Sequence, residues 1–172
     1  VTICTLADFD EASSKMDISD KWQLFDCGED LYAPQSTADE NGCRVIIAWA
    51  RMPEPFAKNR RGMFCIPRIV EIRNGHIYFR PHPNAERLFT RKITSPAEAG
   101  AGGYKISLDM DNGEEVNIGG YKLSRKNDII TADRSDVFAG HSEIKCVFHT
   151  PEIKEGSHLD IYVDPNLIEV YV

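Results

Sequence analysis

The sequence predicts an all-β protein whose C-terminal part is a β-sandwich. Three observations carry this reading. Apolar residues recur with a period close to two along almost the whole chain. Turn signals such as Asn74-Gly75 and Asp111-Asn112-Gly113 separate the alternating runs. Only one segment, Asn84 to Lys92, reads as a short helix.

The elements follow in order. Val1 to Leu6 alternates as a strand. Arg44 to Ala50 has a continuous apolar centre, which predicts a strand buried on both faces. Met63 to Ile72 reads as one strand passing through Pro67. Asn74-Gly75 turns the chain back into His76 to Arg80, and Pro81 and Pro83 end that strand. In the expected helix, Asn84 is the N-cap and Leu88 and Phe89 face inward. Residues 94–103 are rich in Ser, Pro, Ala and Gly, which predicts a linker between a first region, 1–93, and a second, 104–172. This linker has no phosphate-cradling spacing. Beyond it, Tyr104 to Met110 and Glu115 to Ile118 flank one turn. Tyr121 to Ser124 and Ile129 to Ala132 flank Arg125-Lys126-Asn127. Glu143 to His149 alternates again. Leu159 to Val163 and Ile168 to Val172 bracket Asp164-Pro165-Asn166. Strands at this spacing predict two packed sheets. The chain opens at Val1 without a methionine and stops at Val172 in strand register, so truncation at both ends is expected.

Composition narrows the function classes. The 172 residues suffice for one sizeable core or two small ones. A net charge of −7 argues against nucleic acid as a partner. No apolar run approaches the roughly 18 residues of a membrane span, so no membrane partner is expected. The basic cluster Lys58 to Arg61 reads as a solvated loop. Five cysteines, an odd number without a C-x-x-C spacing, predict neither a disulfide framework nor a zinc site. They read as small buried thiols, which favours a cytoplasmic location over secretion. No cofactor or metal is expected. The histidines, His76, His82, His141, His149 and His158, have no ligand spacing and read as surface or structural residues.

The most informative stretch is Asp26 to Gln35, DCGEDLYAPQ. It places Asp26, Glu29, Asp30 and Tyr32 close to the strand that carries Trp49. Carboxylates accept hydrogen bonds from sugar hydroxyls, and an indole face packs against the apolar face of a sugar ring. The structural alternatives are an Asx turn from Asp26 into Gly28, a buried structural role for Asp30, and core positions for Tyr32 and Trp49. Arg68 is expected to pair with a structural carboxylate, and Trp22 to pack.

DCGEDLYAPQ resembles the D-x-G-x-D-F-Y-A-P-Q segment of glycoside hydrolase family 32, the invertases, levanases and inulinases. Further blocks follow in the same order. Ile47-Ala48-Trp49 is similar to the family's I-G-W strand, and Ile66-Pro67-Arg68 to its L-P-R segment. Phe79-Arg80-Pro81 with Glu86 and Leu88 resembles its Q-x-P-x-x-E-L-x-x-L. Leu159 to Asp164 with Ile168 to Val172 resembles its closing L-R-I-F-V-D-x-S-x-V-E-V-F-V. The resemblance implies the C-terminal portion of such an enzyme. It would hold the end of blade four and the fifth blade of a five-bladed β-propeller (1–93), a linker (94–103) and a β-sandwich (104–172).

The family cleaves β-fructosides with retention, using a carboxylate nucleophile and a carboxyl acid/base about 5–5.5 Å apart. Its W-M-N-D-P-N-G, R-D-P and E-C motifs, which hold the nucleophile, a stabilising aspartate and the acid/base, do not occur in these 172 residues. The expectation is therefore that no catalytic residue lies in this chain and that the chain alone is inactive. The resemblance gives substrate contacts to Asp26 and Trp49, with Asp30, Tyr32 and Glu29 as further candidates. The expected substrate of the parent is sucrose, sucrose phosphate or a fructan. The alternative is a non-catalytic carbohydrate-binding or oligomerisation module, with homodimers forming through open sandwich edges.

Overall fold

The computed structural model describes residues 1–52, 58–59, 61–153, 156 and 158–172. It divides into two compact units, Val1–Leu88 and Phe89–Val172.

The first unit opens with the antiparallel pair β1 (Ile3–Asp10) and β2 (Lys15–Leu24), a separate two-stranded sheet. Its register sorts the side chains by face. Ile3, Ala7 and Phe9 stand opposite Leu24, Ile18 and Met16 on one face, with Thr5 opposite Trp22. Cys4, Asp8 and Asp10 stand opposite Gln23, Asp17 and Lys15 on the other. A bulge follows Thr5, whose hydroxyl donates to the Lys21 carbonyl at 2.6 Å. Gln23 ties this pair to the rest of the unit like a peptide group. Its Nε2 donates to the Ile77 carbonyl at 2.6 Å, and its Oε1 accepts the Ile77 N–H at 3.0 Å.

A five-stranded sheet follows. Its order is β3 (Leu31–Ala38), β4 (Arg44–Ala50), β6 (Arg68–Arg73) and β7 (His76–Pro81), and the short β5 (Met63–Phe64) also pairs with β4. The Asn74-Gly75 turn has φ of 52° and 75°, the left-handed values a type I′ hairpin requires. A four-residue helix, α1 (Pro83–Glu86), then closes the unit's ordered elements.

The second unit holds β8 (Tyr104–Asp109), β9 (Glu115–Ile118), β10 (Tyr121–Lys126), β11 (Ile129–Asp133), β12 (Val147–His149), β13 (His158–Asp164) and β14 (Leu167–Tyr171). Three strands form one sheet in the order β14-β13-β8, and four form another in the order β12-β11-β10-β9. Leu123 and Ile130 from the second sheet, Leu159 and Ile161 from the first, and Met110 after β8 make one buried cluster. Ile106, Leu108, Val116 and Val170 pack against it. Alternation explains this arrangement: Leu159 and Ile161 lie two apart on β13, so both point inward.

The all-β class is as expected, but several elements differ from the sequence reading. β2 and β3 went unpredicted because polar residues and Pro34 interrupt their alternation. The Met63 to Ile72 run is two strands, since Pro67 lacks an amide donor to continue the ladder. The expected helix ends at Glu86, its N-cap is His82, and Leu88 is exposed. Of the Glu143 to His149 run only Val147–His149 pairs. The Arg125 turn falls two residues later, where Asn127 and Asp128 take positive φ. Trp22 is exposed rather than packed. The five cysteines form no disulfide; Cys65 is buried and the other four are half-buried. Residues 94–103 include a 3-10 turn, Pro96–Ala99, with a Ser95–Glu98 capping box. Arg60 of the basic cluster lies outside the described residues.

Candidate functional site

The site is built at one end of the five-stranded sheet. The loop from β2 to β3 starts at Phe25, which is buried with its ring edge-on to Phe79, centroids 4.9 Å apart. Asp26 comes next, and both of its carboxylate oxygens are engaged. Oδ1 accepts the Gly28 N–H at 2.8 Å, which is an Asx turn. Oδ2 accepts Nη2 of Arg68 at 3.0 Å. A Cβ on Gly28 would stand 2.8 Å from Asp26 Oδ1, so a larger residue there would displace the carboxylate. Arg68 is buried, and its guanidinium lies 5.6 Å from the centre of the Phe25 ring. The carboxylate expected to pair with Arg68 is thus Asp26 itself. Such a charge-assisted contact holds Asp26 in one orientation while leaving it half-buried and partly accessible.

The loop continues through Glu29, in the left-handed region at φ 60°, and is fastened to β4 by Arg51. The Arg51 N–H donates to the Asp30 carbonyl at 3.0 Å, and its Nη2 donates to the Glu29 carbonyl at 3.1 Å. Asp30 is half-buried rather than buried. These bonds set the acidic loop beside the end of β4 that carries Trp49.

Trp49 and Tyr32 are direct cross-strand partners, their rings 6.5 Å apart at 68°. A bulge immediately follows Tyr32. Ala33 takes φ 49°, and the register slips by one residue before Gln35 pairs with Ile47. Pro34 fits there because it has no N–H to leave unpaired. Such a bulge re-aims the side chains beside it. Trp49 also pairs with Phe64 on β5. Gly62 lies against the indole at φ +88°, where an added Cβ would come within 2.0 Å of Trp49 Nε1.

Two expectations are corrected here. β4 is not buried on both faces: Ile47 and Trp49 are 36% and 38% exposed. Tyr32 is not a core residue; it is 52% exposed. Alternation divides β4: Ala48 and Ala50 are buried on one face, whereas Ile47 and Trp49 stand on the other, which is open. The sequence reading also missed Arg51, Gly62 and Phe64. Gly62 could have been noticed as a lone glycine just before a strand, the usual sign of close backbone approach.

Cys27 adjoins Asp26, but burial and then the Asp26 charge push its thiol above the ordinary value. It therefore stays protonated and is a poor nucleophile. Among the described residues no three His, Cys, Asp or Glu side chains come together as a metal site, and no helix is long and apolar enough to cross a membrane.

Known proteins resemble this chain in sequence and in fold. Residues 2–81 match the family described as the glycosyl hydrolases family 32 N-terminal domain. A sucrose-6-phosphate hydrolase of Vibrio alginolyticus is 26% identical over 162 residues, 86% of this chain and 33% of that protein. Another from Staphylococcus xylosus is 36% identical over 74 residues, 41% of this chain and 15% of that protein. The solved sucrose-6-phosphate hydrolase of Lactobacillus gasseri superposes with a TM-score of 0.72 at 20% identity, covering 95% of this chain and 38% of that one. The family match and the sequence relatives support glycoside hydrolase family 32, and the solved structures support the fold. The chain spans about a third of the length of the Vibrio relative.

Proposed function

We propose that this chain is the C-terminal portion of a retaining β-fructofuranosidase-type hydrolase and supplies one wall of its sugar pocket. The observation that carries the reading is the locked Asp26. Arg68 and the Gly28 amide hold the carboxylate at the sheet end where Trp49 and Tyr32 are exposed. Asp26 would accept hydroxyl hydrogen bonds from a fructosyl unit, and Trp49 would pack on its apolar face. Glu29, Asp30 and Tyr32 line the same end.

The substrates we propose for the parent are sucrose, sucrose phosphate or fructans. The names of the Vibrio and Staphylococcus relatives support sucrose phosphate. In this reading residues 1–93 complete a five-bladed propeller, 94–103 link, and 104–172 form a sandwich. The two sheets sharing one core support the last part. Nucleophile and acid/base would come from outside these residues, so the chain alone releases no fructose. A cytoplasmic location is the accompanying proposal, on the ground of the odd number of cysteines outside any disulfide.

The test is a pair of measurements on the purified chain. Sucrose binding is expected by ligand-observed NMR, lost on Asp26→Ala or Trp49→Ala, with no fructose release. Turnover that survives repurification and disappears in Asp26→Ala would overturn the inactive reading. Binding that ignores both substitutions but responds to changes in 104–172 would favour a non-catalytic sugar-binding module.

A further inference from the structure

The dipeptide Asn-Gly occurs three times, at Asn41-Gly42, Asn74-Gly75 and Asn112-Gly113. Glycine has no side chain to shield its amide nitrogen, so that nitrogen can reach the carboxamide carbon of the asparagine before it. Exposure does not rank the three pairs. All six residues are exposed, and an added Cβ on any of the three glycines meets nothing within 4 Å. Hydrogen bonding among the described residues does rank them. At Asn112 both reacting groups are held. The Gly113 N–H donates to the Arg125 carbonyl at 2.8 Å, the carboxamide nitrogen donates to Asp128 Oδ1 at 3.0 Å, and the carboxamide oxygen accepts the Asp128 N–H at 3.0 Å. At Asn41 only the glycine nitrogen is held, the Gly42 N–H donating to the Asp39 carbonyl at 3.0 Å. At Asn74 neither the carboxamide nor the Gly75 N–H has a hydrogen-bond partner among the described residues. The turn explains this: the hairpin pairs Arg73 with His76 and uses neither central residue.

We propose that Asn74 is a spontaneous modification site, converting to aspartate and isoaspartate with water as the co-reactant, ahead of Asn41 and Asn112. The Gly75 nitrogen attacks Asn74 Cγ. A C–N bond forms, the Cγ–Nδ2 bond breaks, and ammonia leaves with the amide proton. The product is a cyclic imide. Water opens it at the side-chain carbonyl to give aspartate, or at the main-chain carbonyl to give isoaspartate. Nothing is oxidised or reduced. Isoaspartate routes the chain through Cβ and Cγ, which adds a backbone atom to the tightest kind of hairpin turn. Ile77 lies two residues beyond Gly75 and carries both hydrogen bonds from Gln23. The longer turn therefore loosens the tie that holds β1–β2 to the rest of the unit.

The test is timed incubation of the full chain at mildly alkaline pH. Peptide mapping by mass spectrometry locates the product, and labelling with an isoaspartyl methyltransferase counts the isoaspartate. Product is expected first at Asn74 and last at Asn112. The two rates should differ by a factor on the order of ten or more, because three hydrogen bonds must open at Asn112. Asp128→Ala is expected to speed Asn112 without changing Asn74. In urea the three rates are expected to converge, since the dipeptide is the same and the bonds are gone. The isoaspartate form is expected to exchange its Ile77 amide hydrogen faster, and unchanged exchange overturns the link to Gln23. Asn112 reacting as fast as Asn74 in the folded chain, an order that urea leaves unchanged, or no product at Asn74 overturns the inference as a whole.

Discussion

The two units satisfy the same alternating pattern in different ways. In the second unit the inward residues of two sheets meet: Met110, Leu123, Leu159 and Ile161 are essentially inaccessible to water. In the first, the β1–β2 pair has a face of the same chemical kind, yet Phe9, Met16, Ile18 and Trp22 are all more than half exposed. Alternation thus dictates that a strand has an apolar face, but not that anything covers it. A core needs a second layer, and residues 89–172 bring two sheets together over one core.

The largest effect that separates the units is in the shared core. Leu159→Ala or Ile161→Ala is expected to cost about 2–5 kcal/mol, whereas Ile18→Ala in the exposed pair costs no more than about 0.5 kcal/mol. Urea denaturation checks this, and equal losses would break the comparison. Next comes the ion pair that organises the first unit. Arg68→Met leaves the Asp26 carboxylate without its buried partner and is expected to cost about 1–3 kcal/mol. The double variant with Asp26→Asn should recover part of that loss in a double-mutant cycle. Gly62→Ala comes third, at about 1 kcal/mol or more from the positive φ alone. It should also displace the indole, read as a change in Trp49 fluorescence in a Trp22→Phe background. A smaller, purely surface effect is expected for dye binding. Trp22→Ser with Ile18→Ser should lower fluorescence of a hydrophobic dye, and unchanged binding would locate the open apolar surface elsewhere.

The smallest effect is pH-dependent and confined to the second unit. The hydrogen bond to Asp109, with the Asp160 charge nearby, raises the exposed His158 above its ordinary value of 6.5. A raised folded value means the protonated ring stabilises the fold. That contribution is full below 6.5 and fades as pH rises through the folded value. His158→Asn should flatten this limb of the stability profile, read by denaturation at a series of pH values, and a limb that persists would refute the assignment.

Much of this was legible along the chain. The Asn74-Gly75 turn, the Arg44 to Ala50 strand and the β13–β14 hairpin follow from two or three neighbouring residues, because turn chemistry and period are local properties. Asp26 stood out because the acids, glycine and tyrosine around it are contiguous. β2 was missed for the converse reason: Asp17, Ser19, Asp20 and Lys21 obscure the alternation of Met16, Ile18 and Trp22. Burial on both faces of β4 was inferred from composition, yet its outer face at Trp49 is open.

The sequence by itself determined the all-β class, the hairpins, the family resemblance and the stretch on which the site is built. Tertiary structure alone decided that Arg68 pairs with Asp26, across 42 positions of chain. It alone aligned Tyr32, Trp49 and Phe64 on one face and pressed Gly62 onto the indole. The reason is physical. Period and turn propensity act between neighbours, whereas ion pairing, register and exposure depend on which distant strands meet. A bulge of one residue at Ala33 is enough to decide where a functional side chain points.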